Sequence, residues 1–258
     1  MSAKEDVQDE YGDSASEYWP GDTQPSLARG SRTDIWTGPQ LDEIDLLAHD
    51  LRNPLAAIAL EATLAGERLE HADHDAMRRG LHRIQRNTEY LARMVEDLLD
   101  LGAFDHGHLR MRQRATELRK LLEQVIERTS LAHDCGQLVL DAPQPITTTI
   151  DPVRIERVVA NLLQNALKYA PGRTTVVSLA LVRGCARVSV DDEGPGIDPA
   201  EHATIFERYQ RGRAAGATDG SGLGLYVSRC IVEAHGGHIG VAAERGQGSS
   251  FYFELPLR

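Results

Sequence analysis

His49 is followed directly by Asp50, and Asn53 comes four residues on, one turn along the same helical face. An imidazole next to a carboxylate can act as a nucleophile: the carboxylate holds the proton of one ring nitrogen and leaves the other nitrogen's lone pair free. Leu47 and Leu51 lie two residues to either side, which turns His49 off the apolar stripe and toward solvent, where a second domain could reach it. Pro54 is expected to kink the helix just beyond. A solvated helix face would also read this way in a chain with ten histidines, so the pattern needs company.

Three further clusters follow in order. Asn161 and Asn165 stack at i and i+4, with Lys168 three residues later and Tyr169 beside it. Amide oxygens suit Mg²⁺, which prefers hard oxygen ligands completed by water and phosphate, and a lysine supplies a point charge to those phosphates. Two amides capping nearby backbone would look the same. Asp192-Glu193-Gly194-Pro195-Gly196 closes an alternating strand. A carboxylate there can accept from the exocyclic amine of adenine, while glycines let a flat ring approach the backbone. Gly220-Ser221-Gly222-Leu223-Gly224 opens a helix, and the N–H groups of such an entry receive anionic oxygens.

Two kinds of element must carry these clusters. Leu47, Leu51, Leu55, Ile58, Ala62, Ala65 and Leu69 recur at steps of three and four, as do Met77, Leu81, Ile84, Thr88, Leu91, Val95 and Leu98. They are heptad seams joined by the polar break His71–His74, and a lone hairpin would leave apolar surface uncovered, so a dimeric four-helix bundle is expected over residues 41–104. From 105 to 258 strands and helices interleave, which predicts an α/β sandwich and an α+β chain overall. Its strands are expected at Leu109–Arg112, Gln137–Asp141, Ile146–Asp151, Thr174–Val182, Cys185–Asp191, Ile239–Ala243 and Ser250–Leu255. Its helices are expected at Glu117–Thr129, from the Asp151-Pro152 cap onward, at Ala200–Glu207 and at Ser221–His235.

Composition sets the outer limits. Of 258 residues, 28 are Lys or Arg and 39 Asp or Glu, a net charge of −11, and aromatics are 5%. That surface repels phosphate backbones and anionic lipid, so neither nucleic acid nor a membrane is the expected partner. No apolar run reaches the roughly 18 residues of a membrane span, and the N-terminus lacks the basic-then-apolar layout of a signal peptide, so the cytosol is the expected location. Cys135, Cys185 and Cys230 lack metal-ligand spacing and read as reduced, buried thiols. Residues 1–40 are acidic and rich in Gly, Pro and Ser, hence an expected disordered tail. Trp19 and Trp36 lie in it and leave open a segment that orders on a sensory partner protein.

Taken together and in this order, the clusters resemble the boxes of sensor histidine kinases. His49–Pro54 resembles the H box, Asn161–Asn165 the N box, Asp192–Gly196 the first glycine box, Phe206-Glu207-Arg208-Tyr209 the F box and Gly220–Gly224 the second glycine box, over roughly residues 41–258. The resemblance implies that His49 accepts phosphate, that Asp50 orients or deprotonates it, and that Asn165 holds Mg²⁺. It implies phosphate contacts for Asn161 and Lys168, a base contact for Tyr169, adenine recognition by Asp192 with Gly194 and Gly196, and a triphosphate lining of Gly220, Gly222 and Gly224. Arg208 and the Arg211–Asp219 stretch match the family's mobile nucleotide lid. ATP is the implied phosphoryl donor, and the implied acceptor after His49 is a separate response-regulator receiver domain. Asp50 and Asn53 replace the commoner Glu and Thr of the family, which leaves the balance of kinase and phosphatase activity open. A gyrase-type ATPase is the competing enzyme; those proteins carry a glutamate base where this chain has Asn161, an amide that cannot take a proton from water. A scaffold that has lost its chemistry is the non-enzymatic alternative, and every box is intact.

Overall fold

The computed structural model describes residues 38–70, 73–105, 111–132, 136–210 and 221–258. Helix α1 spans Gly38–Glu70 and α2 spans His74–Asp105. The first begins three residues inside the stretch expected to be a tail, and it runs unbroken through Pro54. The remainder of that stretch, with both tryptophans, lies outside the described residues.

The hairpin is tied near its turn by a buried carboxylate. Glu61 accepts from Arg68 at 2.7 Å on its own helix and from Arg83 at 2.5 Å on α2. Those two guanidiniums, Arg83 first, hold its carboxyl down at about 2. Gly80 makes room for the triad, since a Cβ there would stand 2.5 Å from the Arg68 guanidinium and 2.9 Å from Glu61. The apolar seam is only partly covered: Leu55, Leu69, Leu81 and Val95 remain exposed on the single chain.

Strand β1 (Arg114–Glu117) leads straight into α3 (Leu118–Ala132), followed by β2 (Leu138–Asp141), β3 (Thr147–Ile150) and α4 (Pro152–Tyr169). Then come β4 (Thr175–Val182), β5 (Cys185–Asp192), a single 3₁₀ turn at Pro199–Glu201, α5 (Gly224–Ala234), β6 (His238–Ala243) and β7 (Ser249–Pro256). Five strands form one sheet in the order β2-β4-β5-β7-β6, antiparallel except for the β2–β4 pair, and β1 pairs with β3 apart from it. Alternate residues of the sheet, Val177, Leu179, Val188, Val190, Phe251, Phe253 and Leu255, are buried with Ile155, Val158, Leu162, Leu163, Val227 and Ile231 of α4 and α5. This is the expected α/β layer, and Leu98 and Phe104 of α2 and Leu47 of α1 pack against its core.

Four expectations shift. The first strand is not at Leu109–Arg112, of which Leu109 and Arg110 lie outside the described residues. It sits at Arg114–Glu117, because its ladder to β3 runs Arg114↔Ile150 through Glu117↔Thr147 and fixes the register where hydropathy does not. The helix expected at Ala200–Glu207 is a 3₁₀ turn capped by Asp198, whose Oδ1 accepts from the Ala200 N–H at 3.0 Å. Beyond it Ile205 and Phe206 turn into the core. Helix α5 starts at Gly224 and not at Ser221, since Gly222 takes φ +68° and interrupts the helical path. Cys185 and Cys230 are free and half-buried, not core residues; Cys135 lies outside the described residues.

Asp151 caps α4: its side chain accepts from the N–H groups of Arg154 and Arg112. Its own N–H donates at 3.0 Å to Nε2 of His235, whose Nδ1 donates at 2.7 Å to the Ile231 carbonyl. Both ring nitrogens are spent on a neutral imidazole, and burial pushes its pKa down, with Asp151, Arg154 and Arg258 the charges around it. Because the unfolded chain takes up this proton more readily, stability is full above the ordinary histidine pKa and falls as pH drops below it. The melting midpoint is therefore expected to decline between pH 7 and pH 5. His235→Phe should remove that contribution to the slope while costing about 1–3 kcal/mol for the orphaned Asp151 N–H.

Candidate functional site

A cavity of about 590 Å³ opens between α4, the loop after β5, the entry to α5 and one flank of α2. Ala160, Asn161, Gln164, Asn165, Lys168 and Tyr169 of α4 line it, as the 3.6-residue period requires of one helical face. At one end stands Asp192. Its Oδ1 accepts from the Gly194 N–H at 2.8 Å, and the Ser249 N–H donates to the same carboxylate. Burial pushes this carboxyl up, against the pull of those two donors. A carboxylate has about four lone-pair sites, so acceptor capacity remains for a ligand amine. Ile197, Ile205 and Phe251 supply apolar walls beside it. Gly196 is required there: at φ +70°, a Cβ would fall 1.8 Å from the Glu244 carbonyl oxygen. This end suits a flat heterocycle carrying an amine.

The other end is built for anions. Gly222 and Gly224 line the cavity where α5 begins, and among the described residues the N-cap Leu223 has no side-chain capping bond, an entry at which the first helical amides can receive an anion. A Cβ on Gly224 would meet Asn161 Oδ1 at 2.4 Å, so the glycine lets α5 close against α4. Asn161 Nδ2 in turn donates to Ser228 Oγ at 3.0 Å, which fixes its amide. Among the described residues no cluster of His, Cys, Asp and Glu could hold a metal alone. The neutral oxygens of Asn161, Gln164 and Asn165 fit a Mg²⁺ ion that arrives with phosphates supplying the anionic ligands.

Eight of the residues expected from the sequence therefore share one cavity: Asn161, Asn165, Lys168, Tyr169, Asp192, Gly196, Gly222 and Gly224. Gly194 stands behind Asp192 as its donor. Arg208 does not line the cavity; it donates to the Tyr226 hydroxyl at 3.0 Å and stacks 4.8 Å over that ring. Gly220 and the Arg211–Asp219 stretch lie outside the described residues. Sequence reasoning missed Ser249, although Gly246-Gln247-Gly248 ahead of an alternating strand was a signal: a Cβ on Gly248 would stand 2.0 Å from the Asp192 carbonyl oxygen. It also missed Arg157, one turn before Asn161 on the same face, and the α2 wall formed by Tyr90, Arg93, Met94, Glu96 and Asp97.

His49 is outside the cavity, its side chain 63% exposed, while Asp50 is buried at 6%. Asp50 Oδ1 lies 3.5 Å and Asn53 Nδ2 3.4 Å from the same ring atom, Nδ1, so Nε2 is the nitrogen that neither approaches. The Glu61–Arg83 pair also sets the level of the site along the hairpin. About twelve residues back from Glu61 is His49, and about twelve on from Arg83 is Val95, so along the hairpin axis the imidazole is at about the level of the α2 segment that walls the cavity.

Two family models match the chain: His Kinase A (phospho-acceptor) domain over residues 40–107, and Histidine kinase-, DNA gyrase B-, and HSP90-like ATPase over residues 150–258. Adaptive-response sensory kinase SasA of Synechococcus sp. strain JA-3-3Ab is 36% identical over 218 residues, 82% of this chain and 58% of that protein. Sensor protein KdpD of Escherichia coli K12 is 32% identical over 217 residues, 81% of this chain and 24% of that one. The chain thus spans little more than half the length of SasA and a quarter of KdpD. Among solved structures, Acinetobacter baumannii histidine kinase AdeS superposes with a TM-score of 0.60 at 25% identity, covering 81% of this chain and 98% of that one. ShkA, solved in complex with AMPPNP, gives 0.60 at 27% identity over 83% of this chain and 45% of that one. None of the described helices is long and apolar enough to cross a membrane. With a phospho-acceptor hairpin and a sandwich of the kinase ATPase type joined in the order that family uses, the chain belongs to the sensor histidine kinases.

Proposed function

We propose that the chain is an ATP-dependent autokinase that phosphorylates its own His49 and passes the phosphoryl group to an aspartate of a separate response regulator. Residues 41–104 act as the dimerisation and phosphotransfer hairpin and residues 105–258 as the nucleotide domain, in the cytoplasm. The reading rests on one observation above others. An exposed imidazole backed by a buried carboxylate stands level with a cavity that has a half-buried carboxylate at one end and amides with an open helix N-terminus at the other.

The residues divide the work. Asp192 accepts from the amine of adenine, and Ile205 and Phe251 exclude water from the ring. Lys168, Asn161 and the amides at Gly222 and Gly224 spread charge from the phosphates, which is most of what a loose phosphoryl-transfer transition state asks of a protein. Asn165 would hold a Mg²⁺ ion, whose contribution would be to neutralise phosphate charge. Asp50 keeps a proton on Nδ1, which leaves the Nε2 lone pair to attack. Leu55, Leu69, Leu81 and Val95, exposed on the single chain, form the seam for a second copy, which gives the homodimer. ShkA was solved with an ATP analogue, and histidine kinase ThkA was solved in complex with response regulator protein TrrA, which agrees with the donor and the acceptor class.

Incubation with γ-labelled ATP and Mg²⁺ tests the reading. The expected product is a protein label stable in base and lost in acid, transferable to a receiver domain. An acid-stable label, or rapid phosphate release with none on the protein, overturns it.

A further inference from the structure

Arg157 is the one cationic side chain of α4 that faces the cavity from beyond the Asn161 end, and its guanidinium is held by two acids of α2. Its Nη2 donates to Asp97 Oδ1 at 2.5 Å and its Nη1 to Asp100 Oδ2; Arg154 Nη1 donates to the other Asp100 oxygen at 2.7 Å. Asp100 is buried at 8%, and Leu101 next to it belongs to the core of the nucleotide domain. Four charged groups thus clamp the end of α2 onto the start of α4, and two of them, Asp97 and Arg157, also face the space a nucleotide would fill. Burial pushes the Asp97 carboxyl up even with Arg157 against it, a sign that this carboxylate is poorly solvated where it stands.

Position along α4 says which part of a nucleotide Arg157 would meet. Tyr169 and Asp192 mark the base end, Asn161 and Asn165 follow, and Arg157 lies about 18 Å from Tyr169 at 1.5 Å per residue. A triphosphate laid along that helix brings its outermost phosphate, not the inner two, toward Arg157. Building on the nucleotide reading of the cavity, we propose that Arg157 is a γ-phosphate ligand that trades Asp97 and Asp100 for the terminal phosphate, so that ATP, and not ADP, loosens the α2 clamp. A guanidinium fork accepts either exchange, because carboxylate and phosphate present the same paired oxygens. The two carboxylates compete with the phosphate for one cation, and their loss should favour the triphosphate. Arg93 and Glu96, which also line the α2 wall, would meet the phosphates alike in either state.

Calorimetric titration of the whole chain with Mg²⁺ and either ADP or a non-hydrolysable ATP analogue separates these effects. Arg157→Gln should weaken the triphosphate analogue at least tenfold and ADP less than twofold. Asp97→Asn with Asp100→Asn, which leaves Arg157 in place, should tighten the analogue several-fold over ADP. In the parent chain, amide exchange over residues 97–104 should quicken with the analogue and not with ADP. A melting midpoint close to the parent's shows that the variants fold; should Arg157→Gln unfold, the double variant and the exchange measurement decide alone. Equal responses to the two nucleotides, or no response, overturn the role of Arg157. Failure of the parent chain to bind either nucleotide would instead overturn the reading of the cavity itself.

Discussion

His49→Gln is expected to reduce incorporation of the γ-phosphate to background, a loss of at least about a thousandfold, while nucleotide affinity stays at the parent value. The two outcomes belong together because His49 is outside the cavity, so the residue can be removed without touching the donor site. Glutamine keeps size and polarity at an exposed helix position, and surface changes of this kind cost within about 0.5 kcal/mol. Neighbouring residues should then respond in a graded way. Asp50 and Asn53 both approach Nδ1, and they ask for opposite tautomers: a carboxylate needs a proton on Nδ1, whereas an amide donor would place the proton on Nε2 and block attack there. With the proton on Nδ1, a contact to Asp50 closing from 3.5 Å would be charge-assisted and would outweigh the amide, which selects the productive tautomer. Asp50→Asn should therefore slow labelling roughly a hundredfold, by analogy with loss of a base-orienting group. Asn53→Ala should leave labelling within a few-fold of the parent. Filter binding of labelled protein, scored beside nucleotide titration, checks all three. Labelling that survives His49→Gln would move the acceptor to another residue and end the assignment.

The difference between what was legible in the sequence and what was not follows the range of the interactions. Asn161, Asn165 and Lys168 could be placed together because one helix puts them on one face, and the Asp151-Pro152 cap fixed where that helix starts. Asp192 could be read as the end of a strand because alternation through Val188 and Val190 is local. What stayed hidden depends on pairing across the fold. The β1–β3 ladder decides a strand that hydropathy placed several residues early, and Phe206 leaves a helical path to fill the core. The α2 wall of the cavity belongs to the same class. Glu96 and Asp97 look like an ordinary acidic face on a long helix, and only the docking of that helix brings Asp97 and Asp100 to Arg157 and Arg154. Arg157 lay halfway between, since its i−4 relation to Asn161 was visible and its acidic partners were not. Arg208 marks the opposite case: the F box was recognisable, and its arginine is spent on Tyr226, 4.8 Å above the ring, in this arrangement of the chain.

Asp192→Asn should weaken ATP binding by roughly 30- to 150-fold, the 2–3 kcal/mol that a hydrogen bond to a charged group carries, and should do so without loss of fold. The carboxylate is pinned by the N–H groups of Gly194 and Ser249, and both demand an acceptor. An asparagine satisfies one of them with its carbonyl and turns its NH₂ either toward the other or into the cavity. In the second pose a donor faces the amine of adenine, which is also a donor, and the base is repelled. The same exchange erodes the preference between purines. Guanine carries a carbonyl where adenine carries the amine; that oxygen repels a carboxylate and accepts from an amide, so the ATP-to-GTP affinity ratio should fall further than ATP affinity alone. Stability should change little. Burial raises the Asp192 carboxyl, so a neutral amide escapes the cost of holding the ionised form there, while the N–H that the amide leaves without an acceptor offsets that gain. A folded variant with reduced ATP affinity and a collapsed purine preference separates a lost contact from a damaged sheet. Unchanged affinity for both nucleotides would mean that the base lies elsewhere in the cavity, and the orientation assigned along α4, with Arg157 at the phosphate end, would have to be reversed.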